Sequence, residues 1–224
     1  MAQRFMDFGL RARKRAQTRV ALAEALATDL STRTLDALPV AELAAAANIS
    51  QATFFNYFPT KSDLLTHYIQ LWSLKMGQIA RDHQGGHPLL GLEALFLSTA
   101  ESLAKHPRVM LEIIAHQARL PVEGHPKVEL VERLLFLDDD PDAATLSDQG
   151  AGDLIAAGHN AAVKQGFLPP DTDILQATLA VASVFFGVPL LVGHDQPEAI
   201  GPLYSQQLRL VWRGLGADIP ALDQ

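Results

Sequence analysis

Apolar residues recur along this chain at helical spacing and hardly anywhere in strict alternation. Val20, Leu22, Ala23, Leu26, Ala27 and Leu30 fall three and four apart, which predicts a first helix over residues 11–30. A loop at 31–38 leads to an Ala-rich helix around Leu43–Ala47, a tight turn, and a short helix from Ser50 to Phe58. Asn48 suits the turn because Asn tolerates a left-handed backbone. Ser50 is a good N-cap for the second of these short helices. Leu43, Ala47 and Phe54 form a shared core, Ala44 lets the helices approach closely, and Ile49 fills the angle between them. That leaves Gln51, Ala52, Thr53, Asn56 and Tyr57 facing outward. The arrangement is that of a helix-turn-helix, with the second helix a candidate for a DNA major groove.

Past Pro59, a longer helix is expected from Lys61 to about Ala80, with Leu64, Leu65, Tyr68, Leu71, Trp72, Met76 and Ile79 on its apolar face. Further helices are expected over 89–106, 108–119, 127–137, 148–165, 174–192 and 198–215, separated by Pro- and Gly-containing breaks. Gly166 is placed to cap one of them, and Asp171-Thr172-Asp173 to start the next. The helix of 174–192 is apolar almost all round and therefore must be buried on more than one side. Its longest candidate stretch for a membrane span, 177–192, contains Ser183, Gly187 and Pro189 and reads as too short. Residues 1–10 show no period and are expected to be mobile. The fold class is all-α. A domain of residues 1–61, an arm and a three-helix head, is joined to a larger helical domain of residues 62–224.

Charge sharpens this division. The chain of 224 residues carries a net −7, which by itself argues against nucleic acid. Residues 1–61 nevertheless hold 8 basic and 5 acidic side chains, and the remainder 10 and 20. A basic head on an acidic body can bind DNA, since phosphate contact depends on the local patch. Hydrophobic content of 48% is ample for a core, and the absence of cysteine excludes disulfides, thiol chemistry and Cys-based zinc sites. It fits a reducing cytoplasm, and no signal-peptide pattern follows the basic N-terminus.

The run from Leu38-Pro39-Val40-Ala41-Glu42-Leu43 through Asn48-Ile49-Ser50 and Thr53-Phe54-Phe55-Asn56-Tyr57-Phe58-Pro59-Thr60-Lys61-Ser62-Asp63-Leu64-Leu65 resembles the DNA-binding region of TetR-type transcriptional regulators. The likeness covers about residues 13–68, and beyond it extends only to length, helical pattern and the closing Leu210–Gly216 segment. Thr34 stands near a usual Gly, Pro39 where a capping Thr is common, and Phe55 in place of a Tyr whose hydroxyl could reach a phosphate. The resemblance implies a cytoplasmic, ligand-responsive transcriptional repressor. It would bind a palindromic double-stranded operator as a homodimer through its last two helices, and a small apolar effector would release it. Tyr57 resembles the family's phosphate-contacting aromatic.

Arg11, Arg13, Lys14 and Lys61 are positioned for phosphates; the same basic cluster is otherwise a solvated helix end. Ser50 caps the recognition helix, and Ala52 lets the backbone come close. Gln51 can pair with adenine, Thr53 can meet a thymine methyl or a phosphate, and Asn56 can read a base or bond the DNA backbone. Trp72, Met76, Phe96, Met110, Ile114, His116 and His159 are either the lining of an effector pocket or plain core. No cofactor or metal is expected. His83 and His87 straddle Gly85-Gly86, and Asp138–Asp142 reads as an exposed loop. No GxSxG, HExxH or phosphate-binding loop occurs, so the chain is not read as an enzyme. The competing class is an all-helical protein–protein adaptor that keeps the fold without binding DNA.

Overall fold

The computed structural model describes residues 4–83, 86–119, 128–193 and 195–217. Among them every regular element is helical. The described residues form two compact units. One runs to Lys75 and takes in Arg108–Asp148; the other holds Met76–Pro107 and the chain from Gln149 onward.

The first unit opens with a 3-10 turn, Phe5–Asp7, followed by α1 (Leu10–Asp29), α2 (Val40–Ala46) and α3 (Gln51–Tyr57). The beginning of α4 (Lys61–His83), α6 (Pro107–Arg119) and α7 (Leu130–Phe136) complete it. Its core joins Leu22 and Leu26 of α1 and Leu30 just after it with Leu43, Phe54, Phe58, Leu64 and Leu65. Residues 4–10 are not the loose end expected. Phe5 and Phe8 pack against the core, and the Phe5 amide donates to Asp139 Oδ1 at 2.6 Å.

The acidic stretch is the exposed turn expected, except at Asp140. Asp138 and Asp139 adopt φ of 52° and 57°, and the Asp139 amide donates to Leu134 O, closing α7. Asp140 is buried and accepts from the Asp142 amide. Behind this turn, Arg133 donates to the carbonyls of Val128, Ala143 and Leu146 and to Asp148 Oδ2. Asp148 is thereby committed to Arg133 and the Val128 amide, which is why the next helix starts three residues later than the pattern suggested.

One guanidinium on α1 connects four parts of this unit. Arg19 Nε pairs with the fully buried Glu132 of α7, and its terminal nitrogens reach Tyr57 O (3.4 Å) and His67 Nδ1 (3.2 Å). Its carbon lies 4.6 Å from the centre of the Phe58 ring. A guanidinium only donates, so His67 Nδ1 must accept and the imidazole is neutral. Burial, then the charge of Arg19, lowers the His67 pKa to about 3.

The second unit contains the end of α4, α5 (Pro88–Lys105), α8 (Ala151–Lys164), α9 (Ile174–Val192) and α10 (Ile200–Gly214). A Cβ at Gly158 would stand 2.6 Å from Leu92, so α5 and α8 meet where only glycine fits. Phe96 sits edge-on between Phe185 and Tyr204, and the Tyr204 hydroxyl donates to Phe185 O. Gly166 (φ 81°) caps α8 and Asp173 caps α9, as the sequence led one to expect.

α9 is a correction. Its helix is 19 residues long and, by length and composition, apolar enough to cross a bilayer, longer than the run read from the sequence. Nor is it enclosed on more than one side by the described residues. Ala177, Val181, Phe185 and Val188 are buried, while Leu175, Leu179, Leu190 and Leu191 lie exposed.

His159 is fully buried, accepts from Trp212 Nε1 at 3.3 Å, and has its pKa lowered to about 4 by burial. A lowered folded pKa means that stability is complete above the unfolded value of about 6.5 and is lost as pH falls toward 4. Urea unfolding at pH 7.5 and 5.0 should therefore show an acid penalty of which about 2 kcal/mol belongs to this side chain. His159→Gln should shrink the difference by that amount; an unchanged difference would assign the penalty elsewhere.

Candidate nucleic-acid interface

The turn between α2 and α3 is built as its sequence requires. Asn48 has φ of 55°, its amide donates to Ala45 O, and the Ile49 amide donates to Ala44 O. These two bonds satisfy the last carbonyls of α2 in the usual left-handed helix ending. Ser50 Oγ then accepts from the Thr53 amide at 3.1 Å and lies 2.9 Å from the Thr53 hydroxyl. α3 is thus started by a side chain that its own first turn engages. Phe54 and Phe58 are buried, with ring centres 6.3 Å apart, and they fix which face of α3 is turned away from the core.

That outward face carries Gln51, Ala52, Phe55 and Asn56, with Thr53 and Tyr57 half-buried at its flank; of the first four, Gln51, Ala52, Phe55 and Asn56 are all exposed or nearly so. An open crevice of about 640 Å³ is lined by Leu10, Arg11, Lys14 and Arg15 from α1 and by Thr53, Asn56 and Tyr57 from α3. The basic first two turns of α1 and the polar side of α3 therefore share one concave surface. Three cationic groups around an open crevice suit a phosphate backbone.

Two expected residues lie elsewhere. Arg13 is half-buried and donates to Met6 Sδ, outside the crevice lining. Lys61 does not extend into solvent: its ammonium donates to the carbonyls of Leu35, Asp36 and Leu38 at 2.7, 3.0 and 2.8 Å. An ammonium has three donors, and here all three hold the loop between α1 and α2. Arg15, by contrast, was not among the residues expected to bind. It lines the crevice, lies 5.8 Å from the Tyr57 ring centre and pairs with Glu129 at 3.7 Å. The signal was available, since positions 11, 14 and 15 share one helical face and position 13 does not.

The seven residues expected around an effector divide between the units. Trp72, Met110, Ile114 and His116 belong to the first, Met76, Phe96 and His159 to the second. His116 is buried, its Nε2 3.1 Å from the Thr66 hydroxyl, and the Thr99 hydroxyl donates to Met76 Sδ. Phe96 is engaged by Phe185 and Tyr204, and His159 by Trp212. Among the described residues, no group of three or more His, Asp or Glu could hold a metal ion. His83 stands at the end of α4 and His87 precedes α5, while Gln84 and Gly85 lie outside the described residues.

Residues 24–68 match the family model for bacterial regulatory proteins, tetR family. No curated protein matches the chain. Among solved structures, the chain shares its fold with FadR of Thermus thermophilus, a TetR-family transcriptional repressor solved in complex with lauroyl-CoA. That match has 23% identity, 92% of this chain and 98% of that one covered, and a TM-score of 0.61. It also shares the fold with SmeT, repressor of the Stenotrophomonas maltophilia multidrug efflux pump SmeDEF (15% identity, 92% and 96% covered, TM-score 0.59). A third is the ketosteroid transcriptional regulator KstR2 of Mycobacterium tuberculosis (17% identity, 90% and 95% covered, TM-score 0.53).

Removing the Lys61 ammonium leaves three carbonyls without their donor. Bonds to a charged group contribute about 1.5–3 kcal/mol each at most, and water recovers part of that at this half-exposed site. Lys61→Ala should thus lower stability by about 2 kcal/mol in chemical denaturation. A change within about 0.5 kcal/mol would mean that the loop holds without it.

Proposed function

We propose that this chain, which carries the N-terminal domain of the tetR family of bacterial regulatory proteins, is a ligand-responsive, DNA-binding transcriptional regulator. The observation that carries the reading is the crevice in which Arg11, Lys14 and Arg15 of α1 stand beside Thr53, Asn56 and Tyr57 of α3. In this reading the cations neutralise phosphates while the exposed face of α3 meets base edges. Gln51 pairs with adenine. Ser50 starts the helix, Ala52 permits close approach, and Lys61 acts by holding the preceding loop rather than by touching DNA.

A single head spans only a few base pairs, so the regulator works as a C2 dimer on a palindromic operator. The interface is the exposed leucine face of α9 with α10, where Leu210 is also exposed. In this reading a second copy, not a bilayer, covers the open side of α9, and the regulator acts in the cytoplasm. A small apolar effector held by the helices beyond the head shifts the dimer away from the DNA-competent state, making the regulator a repressor. One structural neighbour is a repressor solved with lauroyl-CoA, a ligand whose acyl chain is apolar. The adaptor alternative lacks an explanation for the basic crevice.

Two measurements test this. Affinity for a duplex recovered from a random-sequence pool should fall by about three orders of magnitude or more between 50 and 200 mM salt. Lys14→Ala should reduce the slope of log affinity against log salt by about one for each head engaged. No salt-sensitive binding to any duplex would favour the adaptor. Light scattering at micromolar concentration should return twice the 24.3 kDa chain mass, and Leu179→Glu should return the single mass. A monomeric unaltered protein would remove the dimer.

A further inference from the structure

α3 carries one side chain that neither the fold nor the proposed phosphate and adenine contacts explain. Phe55 is 50% exposed on a helix whose other exposed positions are small or polar. It does not fold back into the core. Its ring stands edge-on to the buried Phe54, with centres 5.4 Å apart and planes at 85°, so a well-packed neighbour holds it outward. Gln51 and Phe55 are four apart and Ala52 and Phe55 three apart, which puts all three on one helical face. Thr53, Asn56 and Tyr57 turn instead toward the basic crevice. The helix therefore divides its exposed surface: one flank belongs to the cations of α1, and its leading face carries an amide, a methyl and a phenyl ring.

A phenyl ring has no donor or acceptor. It cannot contribute to reading the hydrogen-bonding pattern of base edges, and it offers nothing to a phosphate. The apolar group that a duplex displays in its major groove is the C5 methyl of thymine, and apolar contact with that methyl discriminates thymine from the other bases. We propose that Phe55 is a specificity-determining residue, its ring covering the C5 methyl of one thymine in each half-site on the face that Gln51 shares. The proposal rests on the regulator reading.

The test uses the full-length protein and a duplex selected from a random-sequence pool. Each thymine of the half-site is replaced in turn by deoxyuridine, which removes the methyl and nothing else. The unaltered protein should lose about fourfold in affinity at one thymine per half-site, the effect expected for uncovering one methyl group. Phe55→Ala should bind the thymine and uracil duplexes equally at that position and keep its other base preferences, while Phe55→Tyr should keep the thymine preference. Far-UV circular dichroism confirms that both variants remain helical. If a sequence is selected but no thymine responds to the exchange, or Phe55→Ala responds as the unaltered protein does, the role of Phe55 is refuted while the regulator reading stands. If no duplex is selected at all, the regulator reading fails and takes this inference with it.

Discussion

The position of α3 in its unit depends on a single part-buried cation. Arg19 is held by Glu132 from α7, by His67 from α4, and by the last carbonyl of α3 together with the ring of Phe58. Glu132 and His67 are both buried, and the His67 Nε2 faces Glu132 Oε2 at 3.7 Å. Burial is the larger influence on the Glu132 carboxyl and pushes its pKa up; Arg19 pulls it back. Removing either partner of such a pair leaves the other charge buried alone, which typically costs about 3–5 kcal/mol. Lysine could not replace this arginine, because a single ammonium cannot span the directions that the planar fork covers.

This constraint explains why α7 belongs to the same unit as the helix-turn-helix. Arg15 and Arg19 lie four apart on α1, and their acidic partners Glu129 and Glu132 lie three apart at the start of α7. Both arginines also reach α3, one at the Tyr57 ring and the other at its carbonyl. α1 is therefore a two-rung bridge between α7 and the end of α3. The outer rung is exposed and opens onto the crevice; the inner one is part-buried, with Glu132 fully covered. In the proposed function, the crevice cations are thus carried on a helix whose orientation is set by a desolvated ion pair and not by loops.

Much of this was legible in the residues, and the rest escaped for identifiable reasons. The helices followed from apolar spacing, and the turn at Asn48 and the caps at Ser50, Gly166 and Asp173 from local backbone chemistry, because these depend on neighbours within a few positions. Long-range polar contacts were not legible. Nothing in the spacing of Lys61 indicates that carbonyls 23 to 26 residues earlier will take its donors. Likewise, an acidic run reads as solvated throughout until Asp140 is known to be buried and the Phe5 amide to donate to Asp139. α9 failed differently: an all-round apolar helix implies cover on every side, and a single chain supplies it on one. Within the candidate site, the polar face of α3 could be read from the helical period, while Arg15 was missed because the basic cluster was considered as composition rather than as a face.

The central claim is that the first two turns of α1 and the exposed side of α3 form the surface that meets DNA. Amide hydrogen exchange, with and without a duplex recovered by selection, tests it without altering any residue. Slowed exchange is predicted in peptides spanning residues 10–19 and 50–60 when the duplex is present, with no comparable protection in peptides spanning α8. Protection confined to the second unit, or bound duplex that leaves both of those segments unchanged, would contradict it.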